Sequence, residues 1–313
     1  MEPATATAAP IPAGRARAFF ALGKLRIIEL WLGFFVGVSL LDGGVVHDGR
    51  ALIILALILV AGVAVIAATC SLDDIAGVRD GVDQVTHQGG ARWGVDKPIL
   101  TGDLAERQAF GFVHVLGAIA VSASATAIAL AWPLPPWLLI ALPAMMLVAL
   151  AYSYGPKLSY HGAGELALWV GAAGTVLLPY ALVARGASAI VLVEAALVGL
   201  WHAQVVVCSN SHDATGDRAT GRMTIAARTS ARGNRRYVAG VFALSAAVGA
   251  VALATGVLPP GYLLALAPVW LVQAYQLWLG VGRGRWLDAR RVGFRVVRLG
   301  VVALVVANLL LRA

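Results

Sequence analysis

Long apolar runs separated by short polar punctuation dominate this chain. Stretches near 26–43, 51–70, 108–131, 135–152, 164–185, 188–208, 235–256, 260–280 and 293–311 each approach the ~20 residues that an α-helix needs to cross a bilayer core. They predict an all-α polytopic membrane protein of about nine transmembrane helices, forming one domain over residues 15–313. Residues 1–14 are rich in Ala, Pro and Thr and have no basic segment ahead of an apolar one. They read as a disordered tail and not as a signal peptide.

Composition sharpens this picture. The chain is 60% hydrophobic and only 13% charged, with mean hydropathy +0.82, against about a quarter charged in soluble domains. Net charge is +8 and the pI is near 10.0, so the placement of the basic residues decides what they do. With the amino terminus inside, only Arg50, Arg185 and Arg312 of the 24 Lys and Arg fall on the outer face. That asymmetry is the positive-inside pattern, and the expected location is the plasma membrane of a bacterium with a cytoplasmic amino terminus. The basic residues form no strip interleaved with aromatics, so no nucleic-acid partner is expected. Cys70 and Cys208 make neither a zinc site nor a CxxC redox pair and read as small packing residues.

Two acidic clusters stand at the ends of apolar runs. The first contains Asp73, Asp74, Asp80 and Asp83; the second contains Asn210, Asp213 and Asp217, followed by Arg218, Gly221, Arg222 and Thr224. A carboxylate at the centre of a membrane helix costs about 2.5–3.5 kcal/mol, so such a concentration demands compensation. A divalent cation carrying a polyphosphate would supply it, since carboxylate and amide oxygens suit a hard ion and arginine suits an anion. On a continuous helix the offsets 0, 3 and 7 for Asn210, Asp213 and Asp217 share a stripe, as do 0, 7 and 10 for Asp73, Asp80 and Asp83. Each cluster is therefore expected to aim its oxygens at one point. The competing reading is that both are solvated helix ends and loops.

Both long connections, about 71–107 and 209–234, lie on the cytoplasmic side. Lys97, in Lys97-Pro98-Ile99-Leu100-Thr101-Gly102, and Lys157, in Tyr152-Ser153-Tyr154-Gly155-Pro156-Lys157, could reach a phosphate as point charges. The tyrosines there offer π faces and hydroxyls, or simply sit at the interface. Glu29 and His202 are weak intramembrane candidates. Trp31, Trp169, Tyr180 and Trp201 could line a pocket.

These motifs, in this order and at these places along the chain, resemble the UbiA-type intramembrane prenyltransferases. The resemblance spans nearly the whole chain. It implies helices around a central cavity open to lipid and capped on the cytoplasmic side, with the two acidic motifs binding Mg²⁺ and an isoprenoid diphosphate. By that resemblance the metal set is Asp73, Asp74, Asp80, Asp83, Asn210, Asp213 and Asp217, with Asp80, Asp83, Asp213 and Asp217 catalytic. Lys97, Lys157, Arg218, Arg222 and Tyr154 would bind the diphosphate. The family's first motif runs Asn-x-x-x-Asp-x-x-x-Asp, whereas this chain has no asparagine there and has Arg79 four residues before Asp83. The expected activity is Mg²⁺-dependent transfer of a prenyl group to an aromatic or other lipophilic acceptor within the membrane. The alternative on the same scaffold is a terpene cyclase, and a cation transporter is disfavoured because the aspartates lie at one surface and not at the midplane.

Overall fold

The structure is a computed structural model, described here over residues 14–86 and 96–311. The expected disordered tail, apart from Gly14, and the Arg92 end of the connection after the second span lie outside the described residues. Twelve α-helices form the described fold: α1 (Arg15–Leu22), α2 (Gly33–Ser39), α3 (Gly49–Arg79), α4 (Val82–Thr86), α5 (Glu106–Ala131), α6 (Pro136–Leu150), α7 (Gly164–Ala184), α8 (Ala189–Ala219), α9 (Ile225–Arg228), α10 (Ala231–Ala254), α11 (Tyr262–Leu277) and α12 (Trp286–Leu311). Seven of them are long and apolar enough to cross a membrane, α11 with its π-helical continuation Trp278–Gly282, and α6 is a shorter apolar helix.

The first expected span, 26–43, is not one helix. It is a 3₁₀ turn, Ile28–Leu30, followed by the two turns of α2. Backbone carbonyls freed inside a membrane protein need partners, and His202 Nε2 lies 2.8 Å from the Glu29 carbonyl oxygen. The Glu29 carboxylate is ion-paired with Arg298 of α12. The break is thus held by polar contacts that a continuous apolar helix would not make.

Two helices run well past the apolar stretches that predicted them. Both α3 and α8 have 31 residues, about 46 Å of helix against a hydrocarbon core of ~30 Å. Their carboxyl-terminal turns therefore stand proud of the core, and Asp73, Asp74, Asn210, Asp213 and Asp217 are helical residues, not loop residues.

Glycines set how closely the bundle packs. A Cβ at Gly37 of α2 would lie 2.1 Å from the Val176 carbonyl oxygen of α7, and one at Gly300 of α12 would lie 2.2 Å from the Trp201 ring of α8. Trp201 is consequently a core residue, 1% exposed, and Trp169 packs over Gly199 while its Nε1 donates to the Ala196 carbonyl at 3.2 Å. Buried polar groups within the bundle pair with one another, as the membrane setting demands. Gln273 donates to Gln204 at 2.7 Å, and Asn308 donates to Glu194 and to Ser39 at 2.9 Å each.

Gly300→Ala should overpack the α8–α12 contact and cost about 1–3 kcal/mol. It should lower the melting temperature in detergent, whereas Gly240→Ala, whose new Cβ meets nothing within 4 Å, should not.

Candidate active site

Asp73, near the end of α3, stands at the mouth of an apolar cavity, and Arg222, just after α8, lies under the influence of both Asp73 and Asp217. The cavity has a volume of about 230 Å³ and is walled by α3, α6 and α7, with Leu30, Trp31 and Phe34 of the broken first segment on one side. Asp73, Cys70 and Tyr152 lie at its head, and Ile58, Leu142 and Leu178 lie further along it. From Ile58 to Asp73 the wall follows α3 for about 22 Å.

At the head, every aspartate of the first cluster has a cation. Lys24 Nζ lies 3.4 Å from Asp73 Oδ2 and 3.1 Å from Asp74 Oδ1. Lys97 Nζ lies 2.6 Å from Asp74 Oδ1 and 3.0 Å from Asp83 Oδ2, and Lys157 Nζ donates to Asp80 Oδ2 at 2.6 Å. Burial is what makes these pairs matter, since Asp74 is completely buried and Asp83 is 5% exposed. Burial alone would pull the Lys24 ammonium down, but Asp74 and Asp73 outweigh it and hold the group well above its ordinary value. Lys24 and Lys157 both have φ of 50°, a left-handed conformation that costs an L residue roughly 1–2 kcal/mol. The ion pairs offset that strain.

The first cluster does not share one helical stripe. The α3 helix stops at Arg79, Asp80 caps it, and Gly81 turns the chain at φ +75° into α4, which carries Asp83. A glycine tolerates that φ where other residues are strained. The expected offsets of 0, 7 and 10 are therefore broken by the turn, and Asp83 approaches α3 from the side.

The second cluster keeps its expected stripe because α8 runs unbroken to Ala219. Asn210 donates from Nδ2 to Glu165 Oε1 at 2.9 Å, which leaves its amide oxygen as the group suited to a cation. Asp217 is 1% exposed and accepts from Thr224 Oγ1 at 3.3 Å, while Asp213 is half-buried one turn earlier. Arg222 joins the two clusters. Burial would lower it, but Asp73, then Tyr152 and Asp217, hold its guanidinium above the ordinary arginine value. Its planar face lies over Tyr160, 5.5 Å from the ring centroid, and its buried Nε has no hydrogen-bond acceptor.

Two expected diphosphate ligands are placed elsewhere. Arg218 donates from Nε and Nη2 to the Ala227 carbonyl at 2.9 and 2.7 Å, fastening α8 to α9. Tyr154 is 39% exposed and stands edge-on to Phe110, beside Arg79. Tyr160 also stands at the charged head, where burial and a hydrogen bond to Asp80 keep its hydroxyl above its usual range, so that it stays a neutral donor. Lys24, Ser153, which donates to Asp73 Oδ1 at 2.6 Å, and Glu165 complete the site. Ser153 lies within the Tyr152–Lys157 segment, whereas no motif marks Lys24. The positive φ of Lys24 and the pairing of Glu165 with Asn210 emerge only from the fold.

Carboxylate and amide oxygens fit Mg²⁺ by chemistry, but among the described residues no three carboxylate, histidine or cysteine groups gather closely enough to hold a metal by themselves. That suits an ion that arrives on a phosphate, because Mg²⁺ is commonly held by one or two carboxylates plus substrate oxygens. The α8 carboxylates with Asp73 fit this role. All four aspartates of the first cluster are tied to lysines, and of the four Asp73 is the one that lines the cavity.

Lys24→Met would leave Asp74 and Asp73 short of a buried cation. A loss of about 3–5 kcal/mol is expected for breaking such a pair, read as a lower melting temperature in detergent.

The family model described as the UbiA prenyltransferase family matches residues 30–297. The fold is similar to that of a UbiA homologue from Archaeoglobus fulgidus bound to DMAPP and Mg²⁺, with TM-score 0.60, 12% identity and coverage of 92% of this chain and 99% of that one. It is similar to a UbiA homologue from Aeropyrum pernix K1, with TM-score 0.62, 18% identity and coverage of 94% and 98%. It is also similar to a structure described as digeranylgeranylglyceryl phosphate synthase, with TM-score 0.63, 12% identity and coverage of 94% and 99%. No curated protein matches the chain significantly. With its helical membrane bundle and a family match over most of its length, the chain belongs to the UbiA prenyltransferase family, integral membrane enzymes that transfer prenyl groups.

Proposed function

We propose that this enzyme transfers the prenyl group of an isoprenoid diphosphate, with Mg²⁺, to an aromatic or other lipophilic acceptor drawn from the membrane. The observation that carries this reading is the junction of a charged head with an apolar cavity: Asp73 and Tyr152 at one end, aliphatic and small side chains along the rest. A molecule with an anionic head and a long hydrocarbon tail is the complement of that shape. The A. fulgidus homologue bound to DMAPP and Mg²⁺ supports the donor class.

In this reading the membrane domain covers residues 15–313 of a plasma-membrane protein, with the site on the cytoplasmic side. Asp213, Asp217 and the Asn210 oxygen on α8, together with Asp73 at the cavity head, would hold the metal. When bound, Mg²⁺ withdraws charge from the diphosphate leaving group. Arg222, Lys24, Lys97 and Lys157 stabilise the same charge as the allylic C–O bond opens, acting in a water-poor site where each interaction counts for more. Tyr160 can donate its hydroxyl hydrogen without ionising. The apolar wall keeps water from the allylic cation until the acceptor attacks, and the Trp31 and Phe34 rings face the cavity where they can stabilise positive charge.

Asp213→Ala and Asp217→Ala should each lower kcat by at least about 10²-fold, the scale of losing one positioned electrostatic stabiliser. The measurement uses purified protein in detergent with Mg²⁺, radiolabelled donors of increasing length and a panel of phenolic acceptors. Retained turnover in both variants, at unchanged folding, would remove the basis of the proposal. Product formed without any acceptor would instead select cyclisation.

A further inference from the structure

One face of α12 changes from cations to hydrocarbon partway along the helix. Arg291, Arg295, Arg298, Val302, Val306 and Leu309 follow one another at intervals of three or four residues, so they share that face, and each is exposed. Asp288, the one acid of α12, lies 3.2 Å from Arg291 and 2.8 Å from Arg285. Arg298 donates from Nε to Glu29 Oε1, the oxygen with which its Nη2 is also ion-paired. That pair is lopsided, because the Glu29 side chain is 2% exposed and the Arg298 side chain 58%. A guanidinium carries five N–H donors, and the Nη1 hydrogens of Arg298 have no acceptor among the described residues. Arg295, one turn away, has no carboxylate partner among them.

Depth makes these free donors costly. Helix α12 runs antiparallel to α8, since Gly293 packs on Val205, Gly300 on Trp201, and Asn308 donates to Glu194. Its arginine-rich start therefore lies at the end of the bundle where α8 carries Asp213 and Asp217. From Arg298 to the end of α12 at Leu311 the rise is only about 20 Å, short of the ~30 Å hydrocarbon core. A spanning α12 thus carries Arg298 beneath the headgroups, where N–H groups without acceptors are expensive and draw lipid headgroups and water inward. The anion that a bilayer offers at that edge is the lipid phosphodiester.

We infer that Arg295 and Arg298 form a binding site for an anionic phospholipid, its phosphate bridging the two guanidinium groups and its acyl chains lying along Val302, Val306 and Leu309. Charge selects the headgroup. Two arginines against the single carboxylate of Glu29 leave one positive charge, which phosphatidylglycerol neutralises and zwitterionic phosphatidylcholine does not. The site does not depend on the prenyl-transfer reading, but it adjoins the frame of the cavity. A lipid on Arg298 backs the Glu29 pair, and with it the 3₁₀ turn that places Leu30 and Trp31 at the cavity wall.

Delipidated full-length protein in detergent, titrated with phosphatidylglycerol or phosphatidylcholine of equal chain length, tests this, with bound lipid counted by native mass spectrometry and the melting temperature followed in parallel. Phosphatidylglycerol should bind at least about tenfold more tightly and raise the melting temperature. Arg295→Gln, which breaks no ion pair among the described residues, should keep the lipid-free melting temperature and weaken phosphatidylglycerol binding about tenfold, the loss of one charge-assisted hydrogen bond. Arg295→Lys should retain part of the affinity. Arg232→Gln, at an exposed position in the first turn of α10, should bind as the wild type does. Equal binding of the two lipids by the wild type, or undiminished binding by Arg295→Gln, would overturn the inference. So would an equal loss in Arg232→Gln, which would reveal only diffuse attraction to a basic surface. Glycerol 3-phosphate, the headgroup chemistry without chains, should not stabilise the protein at the same concentration; stabilisation equal to that by phosphatidylglycerol would reveal a site for soluble phosphate and overturn the lipid assignment.

Discussion

Buried carboxylates held against lysines at the head of an apolar cavity are the constraint on which the rest of this structure depends. Asp74 is completely out of solvent, and two ammonium groups stand within 3.1 Å of its Oδ1. Removing a carboxylate from water costs several kcal/mol, recovered only by close and well-directed partners. Those partners come from three separate places in the chain: the turn after α1, the connection before α5, and the loop after α6, which supplies Lys157 for Asp80. The charge cluster therefore ties the amino-terminal segment, the connection before α5 and the Tyr–Lys loop to one another. It also explains why Lys24 and Lys157 tolerate left-handed backbone.

The helical frame presents this charge where a lipid substrate could use it. Because α3 and α8 exceed the membrane thickness, their last turns carry the acidic residues beyond the apolar core while their apolar turns continue as cavity wall and bundle core. Close glycine contacts bring α2 against α7 and α12 against α8, and the 3₁₀ turn at Ile28–Leu30 places Leu30 and Trp31 beside the cavity. Glu29 and His202, each isolated in an apolar run, stabilise that turn together.

Charge at one end and hydrocarbon at the other make a chemical gradient along a single cavity. Positive groups gather where a diphosphate would leave, and dry aliphatic surface extends where an allylic cation would need protection from water. The same low dielectric that makes the buried aspartates expensive strengthens every ion pair at the site. Stability and chemistry here draw on one arrangement of charges.

The all-helical membrane architecture was legible in the sequence because long apolar runs have few alternatives in a bilayer, where every backbone polar group must be paired internally. The α8 stripe of Asn210, Asp213 and Asp217 was legible too, since offsets of 3 and 7 align on any uninterrupted helix. The first cluster was not, because the same arithmetic assumed a helix that Gly81 ends, and a single left-handed residue redirects everything after it. Arg218 and Tyr154 stand close to the site in sequence yet turn to the Ala227 carbonyl and to Phe110. Lys24 and Ser153, 49 and 80 residues from Asp73, reach it only through folding. Local periodicity therefore determined which oxygens share a helix face. Only the tertiary structure decided which cations neutralise them, because the counterion of a buried charge is whichever group packing brings within a few ångströms.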